Sequence, residues 1–188
     1  APAPPAPLQP AADPSRPAFL VSRIGISAEA GGGFGGFISN NTSEQTTLQG
    51  QWNVRMVFGT RRHFAGEAAY VGSAQGVETF GVSSGATLTG NGLEGAFRVN
   101  VLTGAWQPYV LGGLGYVHYR MYNAIITTAD IDSSGNVMTF PLGGGLAWRR
   151  NGIVLDGRIQ FNPATKSDVL RDNWMSTWGV NARAGFEF

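Results

Sequence analysis

The chain has 188 residues, 13% of them charged, about half the share of a soluble domain, and 28 glycines, about twice the usual share. Thirteen basic against twelve acidic residues leave a net charge of +1, without the basic stripe that nucleic-acid binding needs, and the absence of cysteine excludes disulfides and thiolate metal sites. No run of eighteen apolar residues is present, so a transmembrane helix is excluded, and the length suits one domain of about eight short-turned strands.

Residues 1–18, APAPPAPLQPAADPSRPA, hold seven of the ten prolines and show no periodicity. Proline cannot donate to a ladder and favours extended polyproline II, so this segment is expected to be an arm, either a spacer or a docking element for a partner. Residues 19–188 form the second unit. From Leu20, alternation begins: Leu20, Ile24, Ile26, Ala28 and Ala30 share one parity and Arg23, Ser27 and Glu29 the other. This predicts a first strand, because successive side chains leave a pleated backbone on opposite faces. Gly31 to Thr46, polar and rich in glycine, reads as a loop. The second strand sets Leu48, Trp52, Val54, Met56 and Phe58 against Gln49, Gln51, Asn53, Arg55 and Arg61. A tight turn at Arg61 and Arg62 leads to the third, with Phe64, Ala68 and Tyr70 opposed to Glu67, Ala69 and Ser73. That register brings Arg55 close to Glu67.

A loop over Gln75 to Leu88 precedes the fourth strand, where Leu93, Phe97, Val99 and Val101 oppose Glu94, Arg98 and Asn100, and Thr103 to Gln107 makes a short turn. The fifth strand, PYVLGGLGYVHYRMY, carries apolar residues at both parities. Tyr109, Leu111, Val117, Tyr119 and Met121 are assigned to its apolar face, because the alternative puts His118 and Arg120 there. A third polar loop spans Asn123 to Asn136. Phe140, Leu142, Leu146 and Trp148 then alternate up to Arg150, and Ile153, Leu155, Ile159 and Phe161 alternate again after Asn151-Gly152. Asn-Gly is the preferred two-residue hairpin turn because both positions need positive φ. Pairing Arg150 with Ile153 sets Trp148 opposite Leu155 and Ala147 opposite Asp156, so both apolar sets land on one face. A one-residue slip would turn every side chain over. After a fourth loop over Asn162 to Asp172, Trp174 to Phe188 reads as one long strand, with Trp178, Val180, Ala182, Ala184, Phe186 and Phe188 on its apolar face and Asn181, Arg183 and Glu187 on the other.

The count is eight, and the fold class is an all-β, antiparallel up-and-down barrel. Three features turn its apolar face outward, toward lipid. Connections alternate long and short, as in barrels whose hairpins close tightly at one end only. Aromatic residues gather near strand ends: Phe58, Phe64, Trp106, Tyr109, Trp148, Phe186 and Phe188 by the short turns, Tyr70, Tyr119, Tyr122, Trp174 and Trp178 by the long loops. The polar face carries Arg55, Glu67, Glu94, Arg98, Asp156, Arg158 and Arg183 at mid-strand. With these outward, Trp52, Phe97, Trp148 and Phe161 would crowd a narrow interior. Turned inward, they are expected to form a charge network that plugs a lumen just wide enough for side chains and leaves no open pore.

Tyr109-Val-Leu-Gly-Gly-Leu-Gly-Tyr116, Gly143-Gly-Gly-Leu-Ala147 before a turn, and Phe186-Glu-Phe188 resemble the small eight-stranded outer-membrane β-barrels, the opacity, adhesion and resistance proteins typified by the OmpA membrane domain and OmpX. The resemblance covers residues 19–188; Arg183 stands where that family often has a small residue. It implies a Gram-negative outer membrane, with lipid and lipopolysaccharide as surroundings and a periplasmic arm; the opening Ala-Pro-Ala-Pro-Pro, without a charged-then-apolar leader, reads as a mature chain freed of its secretory signal. The resemblance also implies that Phe186 and Phe188 belong to the signal read by the barrel-insertion machinery.

Other sites read weakly. The histidines are His63, at a turn, and His118, in the fifth strand, with no serine at matching parity to serve as nucleophile. Asp130, Asp132 and Asn136 are spaced like calcium ligands but lack the twelfth-position glutamate. The glycine run Gly31 to Gly36 opens no helix and is no nucleotide fingerprint. No catalytic residue, metal or cofactor is assigned. Arg61, Arg62, Arg149 and Arg150 cluster by the short turns, where they either snorkel or meet anionic phospholipid heads or a periplasmic partner. The reading that follows is a structural anchor and interaction protein acting through its long loops. The alternatives are a subunit of a larger envelope complex, docked through the barrel or the arm, and a small-solute channel.

Overall fold

The computed structural model describes residues 24–38, 47–77, 86–122, 134–167 and 173–188. The arm, Leu20, Arg23, Asp130 and Asp132 lie outside the described residues. The strands are β1 (Ile26–Phe37), β2 (Gln49–Phe58), β3 (Phe64–Val77), β4 (Ala86–Asn100), β5 (Trp106–Tyr122), β6 (Ser134–Thr139), β7 (Leu142–Arg150), β8 (Ile153–Asn162), β9 (Lys166–Ser167), β10 (Asn173–Trp174) and β11 (Thr177–Glu187). The antiparallel order β4-β3-β2-β1-β11-β8-β7-β5 is closed by pairing of β4 with β5. β6 continues β7 across a break at Phe140 and Pro141 in unchanged register, Gly115 facing Thr139 and Gly112 facing Leu142. Eight strand positions therefore form a closed wall with no open edge, the only kind of sheet a bilayer tolerates.

Arg150 pairs with Ile153, Trp148 with Leu155 and Ala147 with Asp156, around Asn151 at φ 52° and Gly152 at φ 78°. The alternation points outward as the lipid reading requires. Leu93, Phe97, Ile153, Leu155, Ile159 and Phe161 are exposed, Ile159 at 66%, while Arg98 is at 0% and Asp156 at 4%. A soluble barrel has the opposite arrangement, and a continuous apolar band of this kind marks a surface that meets something other than water.

The strands outrun their expected bounds at the long-loop end. β1 begins only at Ile26 but continues through Gly31 to Phe37, where a loop was expected. Gly31 faces inward opposite Arg183, and a Cβ there would collide with the Ala182 carbonyl and crowd the arginine stem. The glycine run thus makes room for large side chains of the neighbouring strand and reads as a loop only by composition. β3 extends to Val77, β4 starts at Ala86 and β6 at Ser134, all inside segments expected to be loops. Conversely, the last strand starts at Thr177 rather than Trp174, and Asn173–Trp174 pairs instead with Lys166–Ser167 from the expected fourth loop.

The assignment of the fifth strand is inverted. Tyr109, Leu111, Val117, Tyr119 and Met121 face the lumen and are buried, while Val110, Leu114, Tyr116, His118 and Arg120 face out. Tyr109 and Tyr119 accordingly leave the aromatic girdles. The reason is a change of polarity along the barrel axis. Near the short turns the wall is apolar outside and ionic inside; toward the long loops Thr87, Thr89, Asn91, His118 and Arg120 face out. There Phe37, Ala86, Leu88, Val117, Tyr119, Met121, Val137, Ala164 and Met175 pack together inside. The upper barrel is built like a soluble one, and Tyr109 and Leu111 already pack inward with Ala147 in the lower half, so β5 carries apolar residues at both parities before its outer face turns polar at His118 and Arg120. Cysteine scanning on this cysteine-free chain tests the inversion. In the folded protein in vesicles, Arg120→Cys is expected to react rapidly with a membrane-impermeant maleimide and Tyr119→Cys only after unfolding; the opposite order would restore the original assignment.

Candidate functional site

The lumen is where the inward faces of eight strands bring their polar side chains together. Glu29 and Arg55 are direct partners across β1 and β2, and Arg183 and Asp156 across β11 and β8. Arg55 lies 2.8 Å from Glu29, 3.2 Å from Glu67 and 2.7 Å from Asp156. Glu67 also takes Arg158 at 2.6 Å and Arg98 at 3.3 Å, and Asp156 takes Arg183 at 3.1 Å. Each carboxylate is shared by several guanidinium groups, so no charge at this level stands alone, as burial demands.

Tyr109 stands in the middle of the network. Its hydroxyl donates to Asp156 at 2.8 Å and accepts from Arg158 Nε at 3.0 Å, and the Arg98 guanidinium lies 3.4 Å from its ring centroid. The space for the ring comes from Gly145 directly opposite, where a Cβ would sit 2.5 Å from the Tyr109 hydroxyl. Toward the short turns the network ends in a floor. Arg149 and Arg61 reach Glu187 at 3.1 Å and 2.6 Å, Arg149 Nε donates to Gln107, and Gln107 donates to the carbonyl of buried Thr60. The β2–β3 turn is thereby held across the mouth.

Above the ionic layer lies a polar cavity of about 70 Å³, with Gln51, Asn53, Glu94, Gln160, Asn181 and Arg183 in its wall. Gln160 donates to Glu94 at 3.2 Å, and Arg183 donates to Asn53 at 3.2 Å. Val117 and Tyr119 of the upper apolar cluster complete its wall. The lumen therefore has three levels: ion pairs, a small polar chamber and an apolar cap.

All seven charged residues singled out in the sequence face this interior. Arg55, Glu67, Arg98, Asp156, Arg158 and Arg183 form one network, whereas Glu94 stands apart on the cavity wall with amide contacts from Gln160. Glu29, Asn100, Gln107, Tyr109 and Arg149 join the seven in the lumen; the sequence placed Glu29 and Asn100 on the polar parity without counting them in the network, and put Gln107 and Arg149 by the short turns and Tyr109 on the apolar face. Glu29 was legible, since it shares the polar parity of Ser27; Tyr109 was not, because its strand changes polarity. Phe186 and Phe188 lie on the outer face of β11 and its extension. His118 faces outward with Nδ1 2.8 Å from Asn136 Oδ1, and His63 is exposed in the β2–β3 turn. Among the described residues no cluster of acidic and histidine side chains could hold a metal ion.

An eight-position closed wall with an apolar exterior and an ion-paired interior defines the architecture. The fold is that of the small outer-membrane β-barrels. Neisserial surface protein A superposes with a TM-score of 0.61 at 10% identity, over 87% of this chain and 96% of that one. Ail, the attachment invasion locus protein of Yersinia pestis, gives 0.56 at 14% identity over 87% and 98%. The N-terminal barrel of Pseudomonas aeruginosa OprF gives 0.50 at 15% identity over 88% and 98%. No protein-family model and no curated protein matches the sequence. The outer-membrane barrels share a wall and differ in what they do, so this likeness speaks to fold.

Proposed function

We propose that the chain resides in a bacterial outer membrane as a closed, non-catalytic barrel, a structural anchor whose long-loop end makes its contacts. On this reading its surroundings are outer-membrane lipid and lipopolysaccharide, the barrel-insertion machinery delivers it, and an envelope partner meets it at the long loops or at residues 1–18. The observation that carries the reading is the three-level filling of the lumen inside an apolar wall. Among the described residues, ion pairs below and packed apolar side chains above flank a chamber of about 70 Å³, room for a few water molecules. Purified protein in a planar bilayer is expected to stay silent under applied voltage. Steady, reproducible conductance steps would favour the channel reading instead.

A further inference from the structure

We infer that the short-turn rim binds the headgroups of anionic phospholipids. The inference rests on the membrane reading above and adds which lipid the lower leaflet presents. Of the four arginines near the short turns, Arg149 is turned into the mouth, and it shares Glu187 with Arg61. Glu187 is thus spent inside the floor. Arg62 and Arg150 remain exposed on the β2–β3 and β7–β8 turns, which lie on opposite sides of the mouth, four positions apart in the closed order. His63 is exposed beside Arg62.

Depth decides the partner. Immediately above Arg62 the outer wall carries Phe64 stacked on Phe97 with centroids 5.8 Å apart, and above Arg150 the Trp106–Trp148 pair at 6.4 Å. Such aromatic belts mark the boundary between hydrocarbon and headgroups. A guanidinium one or two residues below that belt lies at phosphate height. The turn between β4 and β5 exposes Val101 and Leu102 and carries no charge, which suits immersion in an interface better than contact with a soluble polyanion. Cations on opposite sides of the rim also match a ligand that surrounds the barrel. Arginine offers phosphate a planar pair of donors, and each basic group near an anionic surface favours partition by about fivefold.

The test uses the full chain in nanodiscs made from equal parts of phosphatidylcholine and phosphatidylglycerol, released for native mass spectrometry. Retained phosphatidylglycerol is expected to exceed phosphatidylcholine several-fold, to fall to parity in Arg62→Gln/Arg150→Gln, and to persist in Arg62→Lys/Arg150→Lys. Parity in the unaltered chain overturns the inference, as does an excess that survives the glutamine pair or vanishes instead with Arg120→Gln on the other side of the membrane. Displacement of the lipid by inorganic phosphate would overturn it too, in favour of a free-anion site. A heat-dependent shift in gel mobility reports the folded barrel independently, so failure of the membrane reading is distinguishable from failure of lipid selection.

Discussion

Glu67→Ala is expected to destabilise the folded barrel by about 3 to 5 kcal/mol, the cost of breaking a buried ion pair by removing one partner. Glu67 is the shared acceptor of Arg55, Arg98 and Arg158, so its loss leaves a locally cationic layer with Asp156 and Glu29 as the nearest compensation. The side chains of the layer are almost fully buried, so little solvent is at hand to take over the lost bonds. Urea titration of folding into lipid vesicles measures the change. Glu67→Ala combined with Arg158→Leu is expected to cost clearly less than the sum of the single replacements, because each removes the other's stranded partner. Additive losses, or a Glu67→Ala effect below about 1 kcal/mol, would mean that water reaches the network and that the lumen is not plugged there.

Ala182→Arg is expected to cost about 2 to 4 kcal/mol in the same titration, the penalty for an arginine on the lipid face near mid-bilayer. Ala182 lies halfway along the outward face of β11, between Gly32 on β1 and Gly157 on β8, so steric conflict is minimal. Its neighbour Arg183 is native, points the other way and meets Asp156. The same side chain is thus compared on the two faces of one strand. Ala182→Leu should be neutral or mildly stabilising. If Ala182→Arg were tolerated without loss, the apolar band would be facing water or protein rather than acyl chains.

Much of the wall was legible from alternation and turn chemistry. The run from Phe140 to Phe161 fixes its own register, because Asn151-Gly152 admits one pairing and that pairing puts both apolar sets on one side. Arg55 and Glu67 could be brought together in the same way, since the short β2–β3 turn leaves little freedom. Loop boundaries were less legible. Glycine and small polar residues at the long-loop end read as irregular chain, yet Gly31 is in β1 because Arg183 needs the volume a side chain would occupy.

Period-two patterning is a local property, and it carries the number of strands, their pairing and the choice between two faces. It cannot say which medium each face meets, because that depends on height along an axis no single strand defines. β5 runs from the ionic floor past the outer apolar band into the apolar cap, and both its faces change partners on the way. Only closure of the wall placed Tyr109 among Asp156, Arg98 and Arg158 and Tyr119 in the upper apolar cluster. Those contacts join residues far apart in the chain, and their energy comes from excluding water from a space that does not exist until the last strand has paired with the first.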